Sequence, residues 1–177
     1  MKENKNITSK KGEPLTIIGE MIQVGQKAPD FKAVDTDGNT VRLSDFKGKI
    51  AIITAFPAIK TPVCSMQARK FNKMASSINK DVVVIGISKD ETSDTKSFCI
   101  AEGIDGIHIL SDRKYGEFGR KYGFEIKELG LLARGTVIAD HDGTVRYVEY
   151  VPDITEEPDY GKALECAKST ALKNNNF

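Results

Sequence analysis

The chain has 177 residues, 40% of them hydrophobic, with a formal net charge of +1. That is enough for one domain with a real hydrophobic core, and the charge balance gives no reason to expect a polyanion partner, so nucleic-acid binding is not expected. No run approaches the length of a membrane span, and Met1-Lys2-Glu3-Asn4-Lys5-Asn6 lacks the apolar segment of a secretory signal, so a cytoplasmic chain without membrane association is expected.

In chain order, residues of about 5–18 hold two short runs around Lys11-Gly12, a terminal β-hairpin. Glu20 to Ala28 is a connector. Pro29–Val34 reads as a short strand, Asp37-Gly38-Asn39-Thr40 as a turn, and Leu43–Lys49 as a helical turn between Ser44 and Gly48. From there strands and helices alternate. Ile50–Phe56 is a buried strand, Pro62–Ile78 a helix, and Asp81–Ser88, the most apolar run in the chain, a central strand. Ser93–Gly103 is a helix containing Cys99, Ile107–Leu110 a strand, and Lys114–Tyr122 a helix stopped by Gly123. Arg134–Ala139 and Thr144–Tyr150 are strands joined by the hairpin signal Asp140-His141-Asp142-Gly143. Pro158 opens a closing helix to about Lys173, with a frayed tail over 174–177. No linker, repeat or low-complexity block divides the chain. The pattern implies an α/β fold, a central mixed sheet with helices on both faces, which matches the thioredoxin-like class.

The stretch Phe56-Pro57-Ala58-Ile59-Lys60-Thr61-Pro62-Val63-Cys64 lies where the first central strand ends and its helix begins. Pro62 fits the first helical position and Thr61 the N-cap before it. Cys64 then falls in the first turn, beside unpaired N–H groups and a partial positive charge. A thiolate there is stabilised, which makes the sulfur a nucleophile at neutral pH. A lone cysteine near a helix start is more often a small core residue. Here the spacing Pro-x3-Thr-x2-Cys, at Pro57, Thr61 and Cys64, adds a hydroxyl placed to face the sulfur, and it resembles the active-site motif of the peroxiredoxins. The form Phe-Pro-x3-Thr-Pro-Val-Cys is similar to the thiol peroxidase branch, which is of the atypical 2-Cys kind. The resemblance runs from the hairpin to Ala167 and includes Val24–Phe31, Arg69-Lys70-Phe71-Asn72, Leu110-Ser111-Asp112, Lys121-Tyr122-Gly123 and Glu156–Tyr160.

That resemblance implies a peroxidase of peroxiredoxin type, acting on hydrogen peroxide and organic hydroperoxides without a cofactor. Cys64 attacks the peroxide and becomes a sulfenic acid. Cys99, 35 positions on, resolves it within the same chain, and thioredoxin reduces the resulting disulfide. By itself Cys99 reads more readily as a core residue. Arg134, a charge in the otherwise apolar Leu131–Val137, is costly unless paired. The residues alone allow a strand-end arginine or an ion pair with Glu128 or Asp140, and the resemblance places it against the Cys64 sulfur. Thr61 and the backbone N–H groups near Val63 steady the departing oxygen, and Phe56, Pro57 and Leu132 offer an apolar wall. Arg69 is expected on a solvated face. The resemblance further implies a homodimer through the active-site face. The family's usual Asp-Leu-Pro-Phe-Ala is here Asp90-Glu91-Thr92-Ser93-Asp94, which makes the approach to Cys99 more polar and its helix less firmly docked.

Cys166 lies on the apolar stripe of the last helix and reads as inert packing. Neither His108 nor His141 has a metal-ligand spacing, so no metal is expected. Two other readings stand beside the peroxidase. One is a dithiol–disulfide oxidoreductase on proteins, although Thr61 occupies the place of the first cysteine of a Cys-x2-Cys. The other is a redox relay passing oxidation to a partner protein.

Overall fold

The computed structural model of the chain describes residues 1–174. It opens with the expected hairpin, β1 (Glu3–Lys10) and β2 (Glu13–Ile18), turned at Lys11-Gly12, both at positive φ. Then come β3 (Lys32–Val34), β4 (Thr40–Arg42) and a 3-10 turn over Leu43–Phe46. The central alternation gives β5 (Ile50–Ala55), α1 (Pro62–Ala75), β6 (Val82–Ser88), α2 (Thr92–Glu102), β7 (His108–Ser111) and α3 (Glu117–Tyr122). The short β8 (Glu125–Ile126) and β9 (Leu131–Leu132) lead into β10 (Gly135–Ala139), β11 (Val145–Tyr150) and α4 (Tyr160–Asn174). The tail expected to fray over 174–177 lies, past Asn174, outside the described residues.

The boundaries that move have local causes. α1 ends at Ala75 rather than Ile78, where the Ser76 and Ser77 hydroxyls donate back to the Lys73 and Met74 carbonyls. α3 begins at Glu117 rather than Lys114, because the Asp112 carboxylate takes the Phe118 and Gly119 N–H groups, each at 2.9 Å. No periodicity marks β8 and β9, which are too short to carry one.

β5 is the third strand, beside the central β6, of a seven-stranded sheet of order β11-β10-β5-β6-β7-β3-β4. β5, β6 and β7 run parallel and the remaining pairs antiparallel. All six β5 residues are buried, which is why the strand reads as an unbroken apolar run. Alternation sends Ile50 and Ile52 to one face, with Val84 and Ile138, under α1 and α4. Ala51, Ile53 and Ala55 go to the other face, with Ile85 and Val137, under α3 and a four-stranded sheet of order β1-β2-β8-β9. Parallel strands joined through α1 and α2 leave their carboxyl ends at one edge, and α1 starts there. At the start of β10, a Cβ on Gly135 would lie 2.1 Å from the Glu149 carbonyl oxygen, so only glycine lets β11 approach at this point.

Burial pushes the Asp112 carboxyl up to about 6, from 3.8, against the pull of its two N–H donors. The folded chain therefore keeps a proton that the unfolded chain gives up across that interval. Asp112's contribution to stability falls as pH rises from about 4 to about 6 and changes little above it. Asn at this position does not titrate. In urea unfolding, the stability difference between the parent and Asp112→Asn is expected to move in the variant's favour over that interval and to stay flat at higher pH. A difference independent of pH throughout would contradict this reading.

Candidate active site

Three elements meet around the Cys64 sulfur: the end of β5, the first turn of α1, and the residues just before β10. β5 pairing extends one residue further, with the Phe56 N–H donating to the Ile87 carbonyl at 3.1 Å. The chain then turns sharply through Pro57–Lys60. Thr61 is the N-cap of α1 and Pro62 its first residue, as expected. Thr61's hydroxyl, however, does not cap the helix. It donates to the Ala58 carbonyl at 2.8 Å, and the Ala58 N–H in turn points at Cys64 Sγ, 3.4 Å away. Thr61 thus shapes the turn whose N–H reaches the sulfur, in place of the direct contact that the spacing suggests.

Cys64 is 0% exposed and Arg134 2%. The Arg134 Nη2 donates to Sγ at 3.3 Å and to the Ile154 carbonyl at 2.7 Å, and Nε reaches the same carbonyl at 3.0 Å. Nη1 donates to Gln67 Oε1 at 2.7 Å. Neither ion-pair partner that the sequence offers is used. Glu128 accepts the Thr16 N–H, and Asp140 pairs with Arg146. Among the described residues no carboxylate lies within salt-bridge distance of this guanidinium. A guanidinium cannot shed its proton, so a full positive charge is buried with neutral acceptors and one sulfur.

Gln67 is the residue that the sequence reading missed. It is fully buried, and its Nε2 donates to Thr54 Oγ1 at 2.6 Å and to the Ala55 carbonyl at 3.0 Å. It therefore joins Arg134 to the end of β5. The signal was available: Gln67 is one helical turn after Cys64, on the stripe of Cys64, Ala68, Phe71 and Met74 that α1 buries.

The remaining predicted residues divide. Pro57 is buried in the turn and Val63 half-buried at the start of α1. Phe56 is enclosed in the same core as Cys64. Leu132 is not on this side. Since β9 belongs to the small sheet over the opposite face, Leu132 is fully buried in the other core, beside Gly119, and does not line the sulfur's surroundings. Arg69 is exposed, as expected, donating to Ser65 and pairing with Glu102.

Cys99 is half-buried near the end of α2 and packs against the core that holds Cys64. Burial pushes its thiol above the ordinary value. The three cysteines are free. α2 is lightly held, with Thr95 its one fully buried residue and Ile100, next to Cys99, 75% exposed. Two contacts tie the start of α2 to the turn before Cys64. Asp90 Oδ2 accepts the Ile59 N–H at 2.8 Å, and Lys60 pairs with Asp94 at 2.9 Å. The polar segment 90–94 thus spends two of its carboxylates on that turn. On the far side of α1, Lys70 and Tyr160 both bond to Glu157, whose carboxyl Lys70 holds below its ordinary value.

Comparison with known proteins agrees with this geometry. The redoxin family profile matches residues 23–164. A thiol peroxidase of Halalkalibacterium halodurans is 42% identical over 159 residues, 90% of this chain and 95% of its own, and a thiol peroxidase of Bacillus subtilis has the same identity and coverage. The crystal structure of a peroxiredoxin-like protein from Aquifex aeolicus superimposes with a TM-score of 0.87 at 33% identity, over 92% of this chain and 96% of that one. A thiol peroxidase from Chromobacterium violaceum shares the fold at 19% identity, with a TM-score of 0.82 over 96% and 97% of the two chains.

Gln67→Leu leaves Arg134 Nη1 without an acceptor in a closed core. It is expected to cost about 1–3 kcal/mol of stability, measured by urea unfolding. An unchanged unfolding midpoint would show that Gln67 does not hold the arginine.

Proposed function

This chain belongs to the thiol peroxidase family of the redoxins, and from that premise we propose that it is a thiol-dependent peroxidase whose reacting sulfur is that of Cys64. The observation that carries the reading is the buried Arg134, which among the described residues has no carboxylate within salt-bridge distance and has Nη2 on Sγ. A guanidinium and the Ala58 N–H both favour a negatively charged sulfur over a neutral one. The thiolate attacks one peroxide oxygen; the S–O bond forms as the O–O bond breaks. The departing oxygen leaves as hydroxide or alkoxide and takes a proton to become water or an alcohol. Arg134 and the N–H groups at the start of α1 stand where that charge develops. Because Cys64 is enclosed, peroxide enters when the turn over Ala58–Val63 moves. Val63, at the half-buried rim, and Pro57 are the side chains we assign to substrate contact.

Cys99 then attacks the sulfenic sulfur, the S–S bond forms, and the hydroxyl leaves as water. A disulfide requires Cα atoms within about 7 Å. α2, with its single fully buried residue, is the element that opens to bring Cys99 there. An external dithiol protein, thioredoxin by analogy with the family, returns both thiols by exchange. Met66 and Ile100, exposed apolar residues on α1 and α2, suit a homodimer through this face. Among the described residues no helix is long and apolar enough to cross a membrane, and we assign the protein to the cytoplasm.

Cys64→Ser is expected to abolish peroxide consumption with thioredoxin supplied, and turnover by that variant would refute the assignment. Intact mass after one equivalent of peroxide should show the loss of two hydrogens, with a Cys64–Cys99 link and Cys166 unmodified. A stable sulfenic acid, or a link through Cys166, would contradict the role given to Cys99.

A further inference from the structure

Besides the Cys64 sulfur and the Gln67 amide oxygen, Arg134 is gripped from two directions that lead to the N-terminal hairpin. Its guanidinium ends on the Ile154 carbonyl, and its own main-chain carbonyl accepts the Val151 N–H at 3.0 Å. The segment 151–154 is therefore bonded to Arg134 on one side. On its other side lies β1. The Ser9 N–H donates to the Pro152 carbonyl at 2.9 Å, and the Ile154 N–H donates to the Ser9 carbonyl at 2.8 Å. Thr8's hydroxyl donates to the Val151 carbonyl at 2.8 Å in a buried contact. The peptide whose carbonyl aims the guanidinium is thus steadied through its neighbours by β1.

Asp153 locks this junction. Its Oδ2 accepts the Ser9 hydroxyl at 2.9 Å and the Gly12 N–H at 3.0 Å, while Oδ1 accepts the Thr155 N–H at 2.9 Å and the Thr155 hydroxyl at 2.6 Å. These contacts hold the Asp153 carboxyl well below its ordinary value, the Thr155 hydroxyl first among them. β1 carries a bulge between Asn4 and Thr8, with Asn6 at φ +63°, a device that re-aims a strand. The second grip runs through the backbone. β2 pairs with β8 and β8 with β9, whose last residue, Leu132, is two before Arg134.

We infer that the β1–β2 hairpin is the positioning frame of Arg134, and that Ser9 and Asp153 set how the guanidinium meets the Cys64 sulfur. The inference rests on the reading of Arg134 given under the proposed function. Segment 151–154 is irregular, with one ladder partner outside the main sheet, the bridge between Ser9 and Asp153. The Ile154 side chain is anchored in the core, and the hairpin supplies the hydrogen bond to the Ile154 N–H, through the Ser9 carbonyl, that sets the peptide plane ahead of the carbonyl. Without that bond the guanidinium would follow the carbonyl away from a sulfur it already meets at 3.3 Å.

The test is the single-turnover rate of Cys64 oxidation by one equivalent of hydrogen peroxide, in parent, Asp153→Ala, Arg134→Gln and the double variant. A displacement of about 1 Å at a reacting centre can cost roughly 100-fold, and Asp153→Ala, which loosens rather than removes the frame, is expected to slow oxidation about 5- to 10-fold. In the Arg134→Gln background the same change should cost less than about 2-fold, since the group it positions is gone. A parental rate in Asp153→Ala, or an equal loss in both backgrounds, overturns the inference. If Arg134→Gln is slow while Asp153→Ala is parental, the hairpin inference alone fails. If Arg134→Gln itself reacts at the parental rate, the reading of the site fails and takes this one with it. Should Asp153→Ala not fold, Ser9→Ala, which removes one hydroxyl, carries the same comparison with an expected loss of about 2- to 3-fold.

Discussion

A positive charge that cannot be neutralised, that of Arg134, is buried in this protein with no carboxylate within salt-bridge distance among the described residues. Burying a charge is among the most expensive things a fold does, and the usual remedy is an opposite charge. Arg134 instead spends its donors on the Ile154 carbonyl, the Gln67 amide oxygen and the Cys64 sulfur. Of these acceptors only the sulfur can carry a full negative charge. The arrangement is stable in proportion to how far that sulfur does so. Much of the surrounding architecture follows from this constraint. The buried end of β5 supplies Thr54 and Ala55 to hold Gln67, the start of α1 supplies its unpaired N–H groups, and β1 and segment 151–154 hold the far end of the guanidinium.

The same closure that holds Arg134 against the sulfur stands in the way of the proposed turnover. Cys64 has no exposure, and Cys99 is half-buried against the core, with a thiol that burial disfavours from ionising. The chemistry read for the site requires both to move. The fold places its weakness accordingly. α2 buries little, and its tie to the active-site turn consists of one N–H to Asp90 and one exposed ion pair, Lys60 with Asp94, of the kind worth roughly 1 kcal/mol or less. Breaking these two contacts uncouples the turn from the start of α2, whose other ties include the exposed pairs of Lys96 with Asp37 and Glu102 with Arg69 and its packing through Thr95, Phe98 and Cys99. The polar and acidic residues of Asp90–Asp94, where the family usually has an apolar pair, thus read as a lighter attachment of the helix that carries Cys99.

What the sequence discloses and what it conceals differ by kind. The strand, turn and helix around Cys64 are local, so β-branched residues, Pro62 and Thr61 suffice to place the sulfur. Arg134 is an anomaly in an apolar run, visible as unusual but assignable only through resemblance, because its partners lie 20 to 70 positions away. Gln67 was overlooked although its helical spacing marked it. Leu132 was expected in an apolar wall at the substrate mouth with Phe56 and Pro57. The chain crosses from the small sheet to the large one between Leu132 and Arg134, which sends the two side chains to opposite cores. Ile154 acts through its backbone carbonyl, and a backbone carbonyl leaves no trace in an amino-acid sequence. The hairpin itself was readable, but its contact with segment 151–154 joins residues more than 140 positions apart.

The central claim, that Cys64 is driven by an unneutralised guanidinium, is tested most directly by separating charge from shape at position 134. Peroxide oxidation of Cys64 should be compared in the parent, Arg134→Lys and Arg134→Gln, each with its fold verified. The account predicts the order parent, then Lys, then Gln, with the uncharged variant slower than the parent by about 100-fold or more. Equal rates in the Lys and Gln variants, or a Gln variant as fast as the parent, would show that the charge is not what activates the sulfur.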